Sequence, residues 1–223
     1  MDKKLIKYLE GFITKKRSEL FDNILQNRTR YVTVILEDIY QSHNASAVLR
    51  SCDCFGIQDV HIIENRNEYE LSSEVTMGSD KWLNLFKYNN EKNNTLKTVN
   101  YLKESGYRII ATTPNRQDVL LPDFDISRGK FALLFGTELN GLSSVAMDHA
   151  DEFLRIPMYG FTESFNISVS VAIVLQTLVN SLRSSDIDWS LNNNEKDAIK
   201  LDWLRKTIKS VELIEAQYKE ELT

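Results

Sequence analysis

The chain has 223 residues, of which 42% are hydrophobic and 26% charged, with a net charge of −5. This is the composition of an ordinary soluble globular protein, long enough for one α/β domain with helical additions. It excludes a uniformly basic nucleic-acid binder, a disulfide scaffold (Cys52 and Cys54 stand two apart, pointing away from each other on a helix) and a membrane-spanning chain, for which an apolar run of roughly 20 residues is required.

The N-terminal sequence MDKKLIKYLEGF has no signal-peptide core, so a cytoplasmic location is expected. Leu5, Tyr8, Leu9, Phe12, Ile13, Leu20 and Ile24 recur at helical spacing and predict an amphipathic helix over 3–27. Residues 1–30 also carry eight basic and four acidic side chains, a local +4 against −9 for the remainder. Such a basic arm on an acidic body is either a phosphate-contacting surface or a solvated helix face.

The β-branched run 31–36 reads as a strand. A helix is expected over 44–55, with Asn44 as its N-cap and Gly56 just past its end. The short strand 59–63 then completes a β-α-β unit, which predicts parallel strands. Residues 65–80 lack periodicity and read as a long loop, and 82–88 as a further strand. Next come a helix over 94–105, strands at 108–112, 131–135 and 152–158, and a short helix near 143–150. The stretch 166–182 is apolar nearly all round, which implies burial on several sides or a subunit interface. A last amphipathic helix is expected over 194–222, with its stripe at Ala198, Leu201, Leu204, Ile208, Val211, Ile214 and Tyr218 and Trp203 near the edge. These elements divide the chain into a basic helical arm (1–30), an α/β domain (31–183) and a C-terminal helical extension (184–223).

Two segments carry the chemistry. Residues 133–142 read LLFGTELNGL and 156–173 read IPMYGFTESFNISVSVAI. Each sets an apolar strand against Gly, Ser, Thr, Asn and Glu, as at the carboxyl edge of an open α/β sheet where ligands bind. Gly136 lets backbone approach a ligand closely, and Asn166 is a fitting N-cap for the long apolar helix. No G-x-G-x-x-G or phosphate-binding loop occurs, and the three histidines form no zinc pattern, so no metal is expected. Spacing alone leads to a ligand crevice and no further.

Three ordered segments resemble the motifs of the SpoU-type RNA 2′-O-ribose methyltransferases, a branch of the knotted methyltransferases. His43–Arg50 (HNASAVLR), followed by Gly56, is similar to N-x-x-A-x-x-R…G. Phe135–Leu142 (FGTELNGL) is similar to F-G-x-E-x-x-G-L. The segment IPMYGFTESFNISVSVAI is similar to I-P-M-x-G…S-L-N-V-S-V-A. The run Ser79, Asp80, Lys81, Trp82 and the charged terminal helices resemble the branch that methylates guanosine 18 in the tRNA D-loop.

The resemblance implies an α/β fold, a parallel sheet with a deep trefoil knot and helical extensions at both ends. It also implies a homodimer and S-adenosylmethionine as cofactor, bound by Thr112, Leu134, Phe135, Gly136, Ile156, Met158 and Phe165. The family usually has Leu at the last of these positions. The catalytic residues it implies are Arg50, oriented by Asn44, with Glu138, Ser164 and Asn166. Arg50 either takes the hydroxyl proton with help from a substrate phosphate or clamps the phosphate and hydroxyl geometry, because a guanidinium scarcely deprotonates. Lys15, Lys16, Arg17, Arg28 and Arg30 are the candidate tRNA contacts. Two other functions share these motifs: 2′-O-methylation of another RNA (ribosomal RNA or a tRNA anticodon), and RNA binding without catalysis.

Overall fold

The structure is a computed structural model that describes residues 3–39, 41–67, 76–114 and 119–220. The chain divides into two compact units, one running from Thr29 to Trp189 and the other joining the two ends of the chain.

The larger unit is an α/β domain. Its strands are β1 (Val32–Glu37), β2 (Asp59–Ile63), β3 (Asn84–Tyr88), β4 (Arg108–Thr112), β5 (Val119–Leu120), β6 (Phe131–Phe135) and β7 (Glu152–Arg155). They form a seven-stranded sheet in the order β3-β2-β1-β6-β4-β7-β5, with every pairing parallel. Its helices are α3 (Ser42–Phe55), α4 (Asn94–Glu104), α5 (Ser144–His149) and α6 (Ile167–Arg183).

A parallel sheet is covered on both faces, which is why its central strands read as near-continuous apolar runs. Side chains alternate between the faces. Val32, Val34 and Leu36 of β1 join Val60, Ile62, Leu133 and Phe135 on one side, against Ala45, Val48, Leu49 and Cys52 of α3 and Val171, Val174, Leu175 and Leu178 of α6. Ile35, Ile63, Ile109, Ala132 and Leu134 face the other side, with Val99 and Leu102 of α4 and Ala146 of α5. The helix α6 was expected to be buried on several sides or to form a subunit interface; it packs with the sheet and α3 in one cluster and leaves Val169 44% exposed.

The expected β-α-β unit is present, with β1 and β2 parallel in register Val34↔Val60. Gly56 closes α3 at φ 78°, donating its N–H to Asp53 and Cys52 carbonyls, a left-handed position that suits glycine. Two expectations shift. Strand β3 begins at Asn84 because Ser79–Trp82 turns as a 3₁₀ helix, and β7 ends at Arg155, before Pro157. Part of the expected 65–80 loop (68–75) lies outside the described residues. The two-residue strand β5 was missed, being too short to show a period.

The second unit holds α1 (Lys3–Glu10) and α2 (Lys15–Leu25) from one end of the chain and α7 (Asn193–Thr207) and α8 (Val211–Glu220) from the other. The single helix expected over 3–27 is thus two. Thr14 stops the first run by capping the second, its hydroxyl accepting from the Arg17 N–H at 3.2 Å. The helix expected over 194–222 also breaks, at Ser210 (φ 56°). Trp203, expected at the edge of its stripe, is fully buried and meets Phe21 edge-to-face at 5.4 Å. Lys200 bridges Glu10 and Asp22, at 2.6 Å to each. Burial alone would lower its pKa, but the bonds to Asp22 and Glu10 outweigh that and raise it.

His61 on β2 is buried, stacks on Phe86 with centroids 4.9 Å apart, and has Nδ1 2.9 Å from the Tyr88 hydroxyl. Burial pushes its pKa down to about 4 from 6.5. The unfolded chain therefore takes up a proton that the folded one refuses. The stability this neutral histidine contributes is complete above pH 6.5 and is lost as pH falls from 6.5 toward 4, on the order of 3 kcal/mol in all. Chemical denaturation at stepped pH is expected to show a flatter stability profile across that window for His61→Gln than for wild type. Parallel profiles would contradict the assignment.

Candidate active site

Strands β4, β6 and β7 end side by side, and a cleft of about 510 Å³ opens beyond their carboxyl ends. Three chain segments wall it: Thr112–Pro114 after β4, Phe135–Leu142 after β6, and residues from Leu154 through Phe165 after β7, with Met147 of α5 and Ile167 and Ser170 of α6 closing the side. This is the position at which open α/β sheets bind ligands.

The loop after β6 is folded back on itself. Thr137 and Gly141 exchange backbone hydrogen bonds at 3.1 and 3.0 Å, and the Asn140 N–H donates to the Thr137 hydroxyl at 3.1 Å. Gly141 turns the loop at φ 64°. A Cβ on Gly136 would lie well inside 3.0 Å of the Gly141 carbonyl and the Leu142 nitrogen, so only glycine permits this approach.

The tight loop presents Glu138 to two asparagines from distant segments. Asn44 donates its amide N–H to Glu138 Oε1 and, at 2.9 Å, to Gln41 Oε1. Its Oδ1 accepts from Asn166 Nδ2 at 3.1 Å, and the same nitrogen lies 3.4 Å from Glu138 Oε1. A carboxylate only accepts, which fixes the Asn44 amide with its nitrogen toward Glu138 and its oxygen toward Asn166. Asn166 in turn caps α6, accepting from Ser168 N at 2.9 Å, as the sequence predicts. Asn44 does not cap α3. The helix begins at Ser42, leaving Asn44 in its first turn with a buried side chain directed sideways into this triangle.

Of the other expected site residues, Thr112, Phe135, Gly136, Ile156, Met158, Ser164 and Phe165 line the cleft with Glu138. Leu134 does not. Its side chain packs on the α4 face of the sheet, and what it offers is a carbonyl that accepts the Thr112 hydroxyl at 2.9 Å. Arg50 lies six residues beyond Asn44, about 120° around a helix of 3.6 residues per turn. It is exposed and belongs neither to the triangle nor to the cleft wall.

The basic candidates divide. Lys15, Lys16 and Arg17 are exposed on α2. Arg28 is buried with its guanidinium 5.4 Å from the centroid of the Trp203 ring, and Arg30 grips Asp59 at 2.8 Å. Thr113, Met147 and Leu154 also line the cleft and were not among the expected site residues, as does Leu142, the last residue of the second motif. Met147 carries no local signal, whereas a strand-end position like that of Thr113 could have been inferred from Thr112.

Among the described residues lining the cleft, the charged ones are Glu138 and Glu163; none is basic. A mixed apolar and polar cleft of this volume with acidic groups at its wall suits a small ligand that is part apolar and part cationic. Among the described residues, no group of three or more His, Cys, Asp or Glu is placed to hold a metal, and no helix is long and apolar enough to cross a membrane.

Comparison with known proteins agrees with the motifs. Residues 31–176 match the model of the SpoU rRNA Methylase family. The tRNA (guanosine(18)-2′-O)-methyltransferase of Borreliella burgdorferi is 44% identical over 212 residues, covering 95% of both chains. The enzyme of the same name from Thermus thermophilus is 30% identical over 195 residues, covering 86% of this chain and 98% of that one. Among solved structures, the TrmH/SpoU tRNA modifying enzyme of A. aeolicus superposes with a TM-score of 0.78 at 26% identity, over 88% of this chain and 98% of the other.

Gly136→Ala is expected to force the loop open, at a cost of about 1–3 kcal/mol and a melting temperature lower by roughly 3–10 °C. Amide exchange at 137–142 should accelerate while β1 and β2 stay protected. Unchanged melting and exchange would contradict the close approach.

Proposed function

This chain belongs to the SpoU rRNA Methylase family, and from that membership we propose that it methylates a ribose 2′-hydroxyl in tRNA, at guanosine 18 of the D-loop, using S-adenosylmethionine. The observation that carries the reading is the union of Asn44, Glu138 and Asn166, one from each of three separated segments, at the mouth of an acidic cleft on the sheet's carboxyl edge. The 44% identity to a guanosine-18 enzyme along 95% of the chain favours tRNA over another RNA. The intact hydrogen-bonded triangle favours catalysis over binding alone.

When bound, S-adenosylmethionine supplies an activated methyl group for the ribose oxygen, leaving S-adenosylhomocysteine and a proton. Phe135, Ile156, Met158 and Phe165 offer the apolar wall for an adenine ring. Gly136 brings backbone close to the ligand, and Glu138 and Glu163 offset a sulfonium charge. Ser164 and Asn166 sit where the ribose must enter. The exposed guanidinium of Arg50 clamps the substrate phosphate and holds the hydroxyl in line. Positioning of this kind supplies most of the barrier reduction available to such a site.

The tRNA is gripped outside the cleft by Lys15, Lys16 and Arg17, since Arg28 and Arg30 are already held within the fold. Tyr159 and Phe161 are fully exposed on the loop before α6, and Leu139 is nearly so; exposed apolar groups of this kind are covered by a second copy of the chain in a homodimer. The trefoil knot belongs to the same reading. It is supported by the insertion of β6 between β1 and β4 and the return of α6 onto α3. The protein works in the cytoplasm, where unmodified tRNA is found.

Incubation with labelled S-adenosylmethionine and unmodified tRNA is expected to yield 2′-O-methylguanosine that maps to position 18. Label in another nucleoside would move the target, and cofactor binding with no transfer to any RNA would overturn the catalytic reading. Arg50→Ala is expected to lose about a hundredfold or more in kcat with cofactor Kd within about twofold; normal turnover would remove Arg50 from the mechanism.

Replacing Lys15, Lys16 and Arg17 together by Ala is expected to weaken tRNA binding and lower the slope of log K against log salt by about 2 to 3. Titration at several ionic strengths measures this. An unchanged slope would place the grip elsewhere.

A further inference from the structure

Glu37, the last residue of β1, is 2% exposed and lies outside the three motifs. Among the described residues, no salt bridge to it is seen. Its carboxylate is satisfied by three donors: Ser143 N–H to Oε2 at 2.8 Å, and to Oε1 the Ser143 hydroxyl at 2.7 Å and the Thr95 hydroxyl at 2.5 Å. A buried charge held in this way is tolerable only while every donor stays in place.

The position of those donors gives Glu37 a purpose. Ser143 directly follows Leu142, the last residue of the cleft-lining loop, and its hydroxyl also caps α5, accepting from Ala146 N at 3.1 Å. At the other end the loop leaves β6 at Phe135, which pairs with Leu36, so Glu37 stands beside the point where the loop begins. One carboxylate therefore ties the returning end of the loop to the strand next to its departure. The third donor, Thr95, opens α4 and receives Asn65 Nδ2 at 2.9 Å, anchoring Glu37 on a side that carries no cleft residue.

We propose that Glu37 is a positioning residue for the methyl-transfer site: through Ser143 it clamps the Gly136–Leu142 loop in the shape that forms the cofactor cleft and presents Glu138 to Asn44 and Asn166. This rests on the methyltransferase reading above. Glutamine cannot replace it. With its oxygen toward the two hydroxyls, its amide faces the Ser143 N–H, donor against donor; reversed, it leaves the hydroxyl protons without an acceptor.

The test separates the loop side of the carboxylate from the helix side. Ser143→Ala removes one donor on the loop, and Thr95→Val removes one on α4. Calorimetric titration with S-adenosylmethionine, methyl transfer to unmodified tRNA, melting curves and tRNA titration are run on wild type, both single variants and Glu37→Gln. Ser143→Ala is expected to weaken cofactor binding about tenfold, about 1.4 kcal/mol, and to lower kcat. Thr95→Val is expected to lower the melting temperature while leaving cofactor Kd within about twofold. Binding of tRNA should be unchanged in both. Glu37→Gln should lose at least as much cofactor affinity as Ser143→Ala; if it does not fold, the two partner variants decide.

Equal cofactor Kd in Ser143→Ala and wild type, or equal losses in Ser143→Ala and Thr95→Val, would reduce Glu37 to a structural role and overturn the proposal. Wild-type protein that bound no S-adenosylmethionine would overturn the methyltransferase reading together with it. Wild-type binding and transfer alongside a silent Ser143→Ala would overturn this proposal alone.

Discussion

The structure turns on a contact between two stretches of backbone. Gly136 lies so close to Gly141 and Leu142 that no side chain fits between them. This permits the loop after β6 to fold back, and the fold-back aims Glu138 at Asn44 and Asn166. The triangle in turn joins the first turn of α3 to the start of α6, two helices that also pack along their length. A steric condition at one glycine thus sets the relation between three segments far apart in the chain.

The sheet is apolar on both faces, so the polar groups that hold the cleft gather at its carboxyl edge, where the strands give way to loops. Glu37, Thr95 and Ser143 tie three elements there through one carboxylate. Inside an environment of low dielectric such bonds are strong when complete and costly when one is missing, which favours a single loop geometry. The cleft itself carries Glu138 and Glu163 and no basic group among the described residues lining it, so a cationic ligand meets a favourable field there.

The helical unit made from the chain ends follows different rules. Its helices are short, and each is begun or ended by a local device: the Thr14 cap, the Asn192–Glu195 capping box, the left-handed Ser210. Aromatic contacts, Tyr8 with Tyr218 and Phe21 with Trp203, bring the two ends of the chain together, and Lys200 does so through Glu10 and Asp22. Part of the basic charge visible in the sequence is consumed in such contacts. Lys15, Lys16 and Arg17 stay exposed on α2, with Lys15 3.7 Å from Glu19.

By itself the sequence determined the elements whose causes are local. The central strands followed from β-branched runs, Gly56 from the left-handed turn after a helix, and the Asn166 cap from a small polar residue before an apolar helix. The three motifs also marked the segments whose Asn44, Glu138 and Asn166 meet beside the cleft. Tertiary structure decided what those residues do with one another. Asn44 reads as a cap over a few residues, yet its partners are Glu138, 94 positions away, and Asn166, 122 positions away. Arg28 reads as a surface cation until Trp203 covers it, and Glu37 reads as the polar end of a strand until Ser143 arrives 106 positions later. Periodicity and capping are settled within a turn or two of chain, whereas the partner of a buried polar group depends on which distant segment the packing of the sheet brings to its side.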